Sequence, residues 1–118
     1  MKLAIQTSGI PMDVDVIGHI ERRAEFALSR LGLYVQQIKV SLIDLNGPRG
    51  GVDKRCQLQV QLADETPVIV TETSADTYAA INRAFSVASR LASHRIARRV
   101  MRARRSDVIR REFPQIVS

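Results

Sequence analysis

One cysteine, no tryptophan and 4% aromatic residues are what this 118-residue chain offers in the way of staples and large rings. A lone Cys56 cannot close an internal disulfide, so the fold must stand without covalent cross-links, as in a reducing compartment. No apolar run approaches the ~20 residues of a membrane span. Met1–Ile5 carries one cation and no long apolar region, so no secretory leader is expected and a cytoplasmic address follows by default. Cysteine and histidine never pair at ligand spacing, so no metal site is expected. His19 and His94 have no evident acid or nucleophile beside them. Asn46–Gly51 is glycine-rich, but it is neither a phosphate-binding Walker loop nor a dinucleotide fingerprint. With Asp44, Asp53 and Asp76 scattered and read as caps or turn residues, no catalytic set and no cofactor is expected. The chain reads as a non-enzyme.

Acids are also missing, but only from one end. Residues 1–82 hold eight Lys and Arg against ten Asp and Glu, while residues 83–118 hold ten against two, for net charges of −2 and +8. Arginine outnumbers lysine fifteen to three, and its planar fork suits phosphate. Such a distribution points to a polyanionic partner, nucleic acid ahead of an anionic membrane.

The basic region belongs to the clearest helix. From Ser74 to about Arg105 no glycine or proline interrupts the chain, and Ser74 or Asp76 can cap its start. Tyr78, Ile81, Ala84, Phe85, Ala88, Leu91 and Ala92 recur on one face at about 100° per residue. Arg83, Arg90, His94, Arg98 and Arg105 form a separate stripe. Arg95 and Arg99 fall where the apolar face should continue, and buried cations without partners are costly. The helix is therefore expected to pack as far as Ala92 or Ile96 and then project. A run of arginines is often only a solvated surface. Here ten arginines to one acid over Arg83–Arg111 leave nothing for self-pairing, so polyanion binding is the stronger reading.

The rest of the chain supplies a compact body. Lys2–Thr7 alternates as a first strand, Ser8–Pro11 turns, and a helix from Asp13 or Asp15 buries Ile17, Ile20, Ala24, Ala27, Leu28 and Leu31 before Gly32 stops it. Val35–Leu45 is a second strand and Arg55–Ala63 a third, with Cys56, Leu58, Val60 and Leu62 facing one way and Gln57, Gln59 and Gln61 the other. Asp64–Pro67 turns into a fourth strand, Val68–Thr73. A sheet with one polar face is covered on one side only. The expected fold is therefore α+β, a two-layer sandwich of order β-α-β-β-β-α. Its four-stranded mixed sheet carries both helices on one face, with the first two strands parallel. Residues 1–105 form one domain and 106–118 a tail. Cys56, Phe26, Tyr34, Tyr78 and Phe85 read as core or core edge rather than as chemistry. The fourth strand is placed to expose an edge, though a monomer is expected.

Asp76-Thr77-Tyr78-Ala79-Ala80-Ile81 resembles the D-M-Y-A-A-I signature that opens the second helix of bacterial ribosome hibernation-promoting factors and ribosome-associated inhibitors. Gly51–Cys56 resembles the entry to the third strand in a subset of them, and the likeness covers about residues 1–105. The resemblance implies a double-stranded-RNA-binding-like fold on the small ribosomal subunit, its helices facing 16S rRNA, where it occludes tRNA and mRNA sites by competition. It implies rRNA contacts through Arg90, with His94 standing at a usual lysine and Val87 replacing another. Arg83, Arg95 and Arg98 are candidates to compensate, with Arg99 and Arg102 in the same basic stretch. On the first helix Arg22, Arg23 and Arg30 are candidates on charge alone. Long relatives add a C-terminal dimerisation domain, which is not expected here. Two other readings stay open: a general RNA- or DNA-binding protein using only the C-terminal arginines, and a helix-mediated protein–protein module.

Overall fold

Alternation along the third strand decides the architecture, because successive strand side chains point to opposite faces of a sheet. The computed structural model describes residues 2–45, 53–63 and 66–112, the last seven of these by backbone alone. The chain runs β1 (Lys2–Ser8), α1 (Val14–Leu28), a 3-10 turn (Ser29–Leu31), β2 (Val35–Asp44), β3 (Lys54–Leu62), β4 (Val68–Ser74) and α2 (Thr77–Glu112). The Asn46–Gly51 connection, Asp64 and Glu65 of the expected hairpin turn, and the tail from Phe113 lie outside the described residues.

The strands stand in the order β1-β2-β3-β4, with β1 parallel to β2 and the other pairs antiparallel, so β1 and β4 are the edges. Register lines the apolar residues into rows. Ile5, Val40, Leu58 and Val70 form one, and Leu3, Ile38, Val60 and Val68 the next. Both helices pack on these rows, and together they enclose a single core. The opposite face carries Gln6, Ser41, Gln57 and Thr71 in one row and Ala4, Lys39, Gln59 and Ile69 in another. This is the expected α+β sandwich with one polar sheet face.

Local chemistry sets the helix starts. Asp13 caps α1 by accepting from the Val16 N–H at 2.9 Å, and Asp15 adds a charge favourable to the helix N-terminus. Asp76 caps α2 by accepting from the Tyr78 N–H at 3.1 Å, while the Asp76 N–H donates to the Ser74 hydroxyl at 3.2 Å. Between β1 and α1 the chain turns at Gly9 with φ of +76°, and a Cβ there would sit 3.1 Å from Cβ of Asp44. Only glycine suits that position.

Cys56 is fully buried, and burial, followed by the charge of Glu72, pushes its thiol up to about 12. Its reading as core stands. Two other expectations need correction. Tyr78 and Leu91, expected on the apolar face of α2, are 38% and 41% exposed. The buried face is Ala80, Ile81, Ala84, Phe85, Ala88, Ala92 and Ile96, a stripe of mostly small residues that seats the helix close to the sheet and leaves the bulkier pair at its margin. Phe26, expected at the core or its edge, is 78% exposed. On α1 the core positions are taken by Val16, Ile20, Ala24, Ala27 and Leu28, which turns Phe26 outward.

Packing of α2 also continues farther than Ile96, because Val100 is half-buried against the core. The reason lies in Arg95 and Arg99. Arg95 Nη1 donates to the Thr66 carbonyl, and Arg99 Nη1 donates to the Ala63 carbonyl at 2.5 Å. The two guanidinium groups thus bind the backbone at the β3–β4 connection instead of facing apolar side chains, which removes the penalty of an unpaired cation. Beyond Val100 the helix projects, running to Glu112 rather than ending near Arg105. At 36 residues it is about 54 Å long, and it gives the molecule its 68 × 23 × 18 Å extents.

Candidate nucleic-acid interface

Two contacts fix how the helices lie together. Nε2 of His19 on α1 donates to Oδ1 of Asn82 on α2 at 2.7 Å, and the Ser89 hydroxyl on α2 donates to the Ala27 carbonyl on α1 at 2.8 Å. Both pairs advance in the same direction along the two helices, so α1 and α2 run parallel. Tyr78 adds an edge-on ring contact to His19, with centroids 4.9 Å apart and planes at 84°.

Helical spacing then distributes the arginines. On α1 and its following 3-10 turn, Arg23 and Arg30 lie about 20° apart around the axis, and Arg22 stands about 80–100° from them. On α2, Arg83, Ser86 and Arg90 fall within an arc of about 60°, and His94 follows one turn beyond Arg90. Arg22, Arg30, Arg83, Arg90 and His94 are exposed, and Arg23 is half-buried. Between the helices a cleft of about 450 Å³ is lined by Arg23, Phe26, Ala27, Arg30, Ser86 and Ser89. Arg23 and Arg30 line this cleft from the α1 side, its α2 side is Ser86 and Ser89, and Arg83 and Arg90 stand one turn before and after Ser86 without lining it.

A second basic cluster lies past the sheet. A cleft of about 300 Å³ is lined by Thr66, Arg95, Arg98 and Arg102. Arg98 and Arg102 are exposed, and Arg104 and Arg105 continue the positive charge along the projecting helix. The ten candidate residues thus divide into a helix-pair group, a projecting group, and the two clamps Arg95 and Arg99 that also hold the β3–β4 connection.

Sequence reasoning missed the aromatic wall of the cleft and its serine lining. Phe26 gave a signal, since it falls off the α1 apolar face and between Arg22, Arg23 and Arg30. Ser86 and Ser89 gave none, because their role as a small-residue floor exists only once α1 lies alongside. Among the described residues no three of His, Cys, Asp and Glu gather as metal ligands, and no helix is long and apolar enough to cross a membrane.

Solved structures share this architecture. The N-terminal domain of Protein Y from Thermus thermophilus is 26% identical, with a TM-score of 0.61 over 77% of this chain and 94% of that one. A ribosomal subunit interface protein from Coxiella burnetii is 13% identical, with a TM-score of 0.62 over 81% of this chain and 99% of that one, a likeness of fold alone. No family model and no curated protein matches the sequence. The structural neighbours agree with the resemblance to hibernation-promoting factors carried by Asp76–Ile81.

Proposed function

We propose that this chain is a ribosome-associated translation inhibitor that binds 16S rRNA of the small subunit and blocks the tRNA and mRNA sites of idle ribosomes. One observation carries the reading: two parallel helices present Arg22, Arg23, Arg30, Arg83 and Arg90 on one side of a fold shared with Protein Y and with a ribosomal subunit interface protein. Duplex RNA offers phosphates on two strands across a groove, and two parallel basic ridges can neutralise both. His94, Arg98 and Arg102 extend the contact along α2, and Arg95 and Arg99 add charge beside it. Inhibition by this route is competition for space, so it asks for no catalytic group, cofactor or metal, and one copy suffices for each ribosome.

Co-sedimentation with 30S subunits at low and at moderate salt tests the reading. Retention at moderate salt, weakened by Arg90→Glu, is expected. Binding that disappears at moderate salt, or that is equal on any RNA, would overturn it. A general RNA- or DNA-binding role through the projecting helix is favoured by one specific feature, the exposed Arg98, Arg102, Arg104 and Arg105 beyond the sheet. An Arg98/Arg99/Arg102 triple alanine variant separates the two. A ribosome-docking protein keeps part of its affinity through the helix pair, whereas a tail-only binder loses nearly all of it.

A further inference from the structure

Phe26 is an oddity on energetic grounds. A phenyl ring favours burial more than most side chains, yet this one is 78% exposed while small residues occupy the neighbouring core positions. It also stands among cations. Arg22, Arg23 and Arg30 all project within about 60° of it around the α1 axis, while Glu21 and Glu25 fall about 100° or more away on the opposite flank. The guanidinium carbon of Arg23 lies 5.2 Å from the ring centroid. Arg23 Nε is shielded from solvent and has no hydrogen-bond partner among the described residues.

The ring forms one wall of the cleft of about 450 Å³ between α1 and α2, over a floor of Ala27, Ser86 and Ser89. That volume falls in the roughly 300–1,000 Å³ range of small-ligand clefts. Ser89 donates its hydroxyl proton to the Ala27 carbonyl, which leaves its oxygen free to accept a hydrogen bond. The cleft therefore combines a π-surface, hydroxyl groups and two arginines at its rim.

Phosphate neutralisation alone needs no ring, and the bases of a regular duplex are stacked and offer no free face. An unpaired or bulged nucleotide offers both a base face and a phosphate. A second copy of this chain would bring the same arginines against these, which opposes self-association through the patch. We infer that the α1–α2 cleft receives a single unstacked nucleotide of RNA, its base lying on Phe26 and its phosphates on Arg23 and Arg30. The inference rests on the RNA-binding reading above and narrows it to RNA with an accessible unpaired base at this site.

The absence of tryptophan provides the test, since Phe26→Trp introduces a unique fluorophore at the wall of the cleft. Titration with a single-stranded oligonucleotide of RNA is expected to quench it saturably, and a blunt duplex of equal length to leave it nearly unchanged. Phe26→Ala, a surface substitution whose unfolding midpoint should match the parent, is expected to weaken binding to the single strand and to 30S subunits about 5- to 150-fold. Duplex affinity should hold. Equal quenching by duplex, or unaltered 30S affinity of Phe26→Ala, would overturn the inference while leaving ribosome binding by the parent intact. Failure of the parent itself to sediment with 30S would count instead against the ribosomal reading. Self-association that is lost in Phe26→Ala, seen by light scattering, would also overturn it by assigning the ring to a protein contact.

Discussion

His19 and Asn82 meet at 2.7 Å across the helix pair, 63 residues apart in sequence, and this contact fixes the register in which the two arginine ridges stand. The bond joins two side chains at a partly buried site, and a typical intramolecular hydrogen bond has a net worth of about 1 kcal/mol. A double-mutant cycle with His19→Ala and Asn82→Ala should return a coupling of that size in urea unfolding. Each single variant should also weaken RNA binding although neither removes a cation, because the ridges lose their alignment. Additive effects on stability would show that the pair does not act as a unit.

Arg99 and Arg104 lie on the same helix five residues apart and should behave differently. Arg99 donates to the Ala63 carbonyl, a charged hydrogen bond worth about 1.5–3 kcal/mol. Arg104 is exposed on the projecting segment, where substitutions stay within about ±0.5 kcal/mol. Arg99→Ala should therefore lower the urea midpoint visibly and Arg104→Ala should not. Equal midpoints would remove the clamp role from Arg99.

What the sequence made legible follows from the range of each interaction. Strand alternation in β3, the Asp13 and Asp76 caps and the uninterrupted α2 are local patterns, and all appear where the spacing puts them. The roles of Arg95 and Arg99 were not legible, because their acceptors are backbone carbonyls 29 and 36 residues distant. Local periodicity could mark those arginines only as breaks in an apolar face. The outward turn of Phe26 escaped for a related reason. Aromatic residues default to the core, and that default outweighed the place of Phe26 off the α1 apolar face, where Ala24, Ala27 and Leu28 fill the buried positions. The candidate arginines were legible as charge, but the cleft between them required the helices to be brought side by side.

Cys56 should be chemically silent in the folded protein. It is fully buried and its thiol is pushed up to about 12 by burial first and Glu72 second, so the reactive thiolate is suppressed twice over. Iodoacetamide at pH 8 should leave the native protein unmodified, and mass spectrometry should find one adduct after treatment in concentrated urea. Rapid alkylation without denaturant would place Cys56 outside the core.

Lys54 should give the protein a dependence on alkaline pH. Its Nζ lies 3.1 Å from Oδ1 of Asp53 and 3.3 Å from Oδ2 of Asp44, and the bond to Asp53 is the main cause holding its pKa above the ordinary 10.5. A raised folded-state value means that the ammonium contributes stability fully below the ordinary lysine range and loses it as pH rises through the raised value. Lys54→Met should be less stable than the parent at pH 7, with the gap closing as pH climbs past about 10.5. A gap that stays constant to high pH would show that the lysine stem, not its charge, does the stabilising.

Salt dependence should separate the two basic groups on α2. Each phosphate that is no longer neutralised takes about 0.7–0.9 off the slope of log K against log salt. Arg83 and Arg90 stand beside the helix-pair cleft and are exposed, so Arg83→Ala with Arg90→Ala should lower the slope on 30S subunits by about 1.4–1.8. The same double variant should matter little for nonspecific binding to a short DNA duplex if that binding runs through Arg98, Arg104 and Arg105 on the projecting helix. An equal drop in slope on 30S and on DNA would mean that the folded face and the projecting helix are read by the same phosphates, and the ribosomal reading would lose its geometric basis.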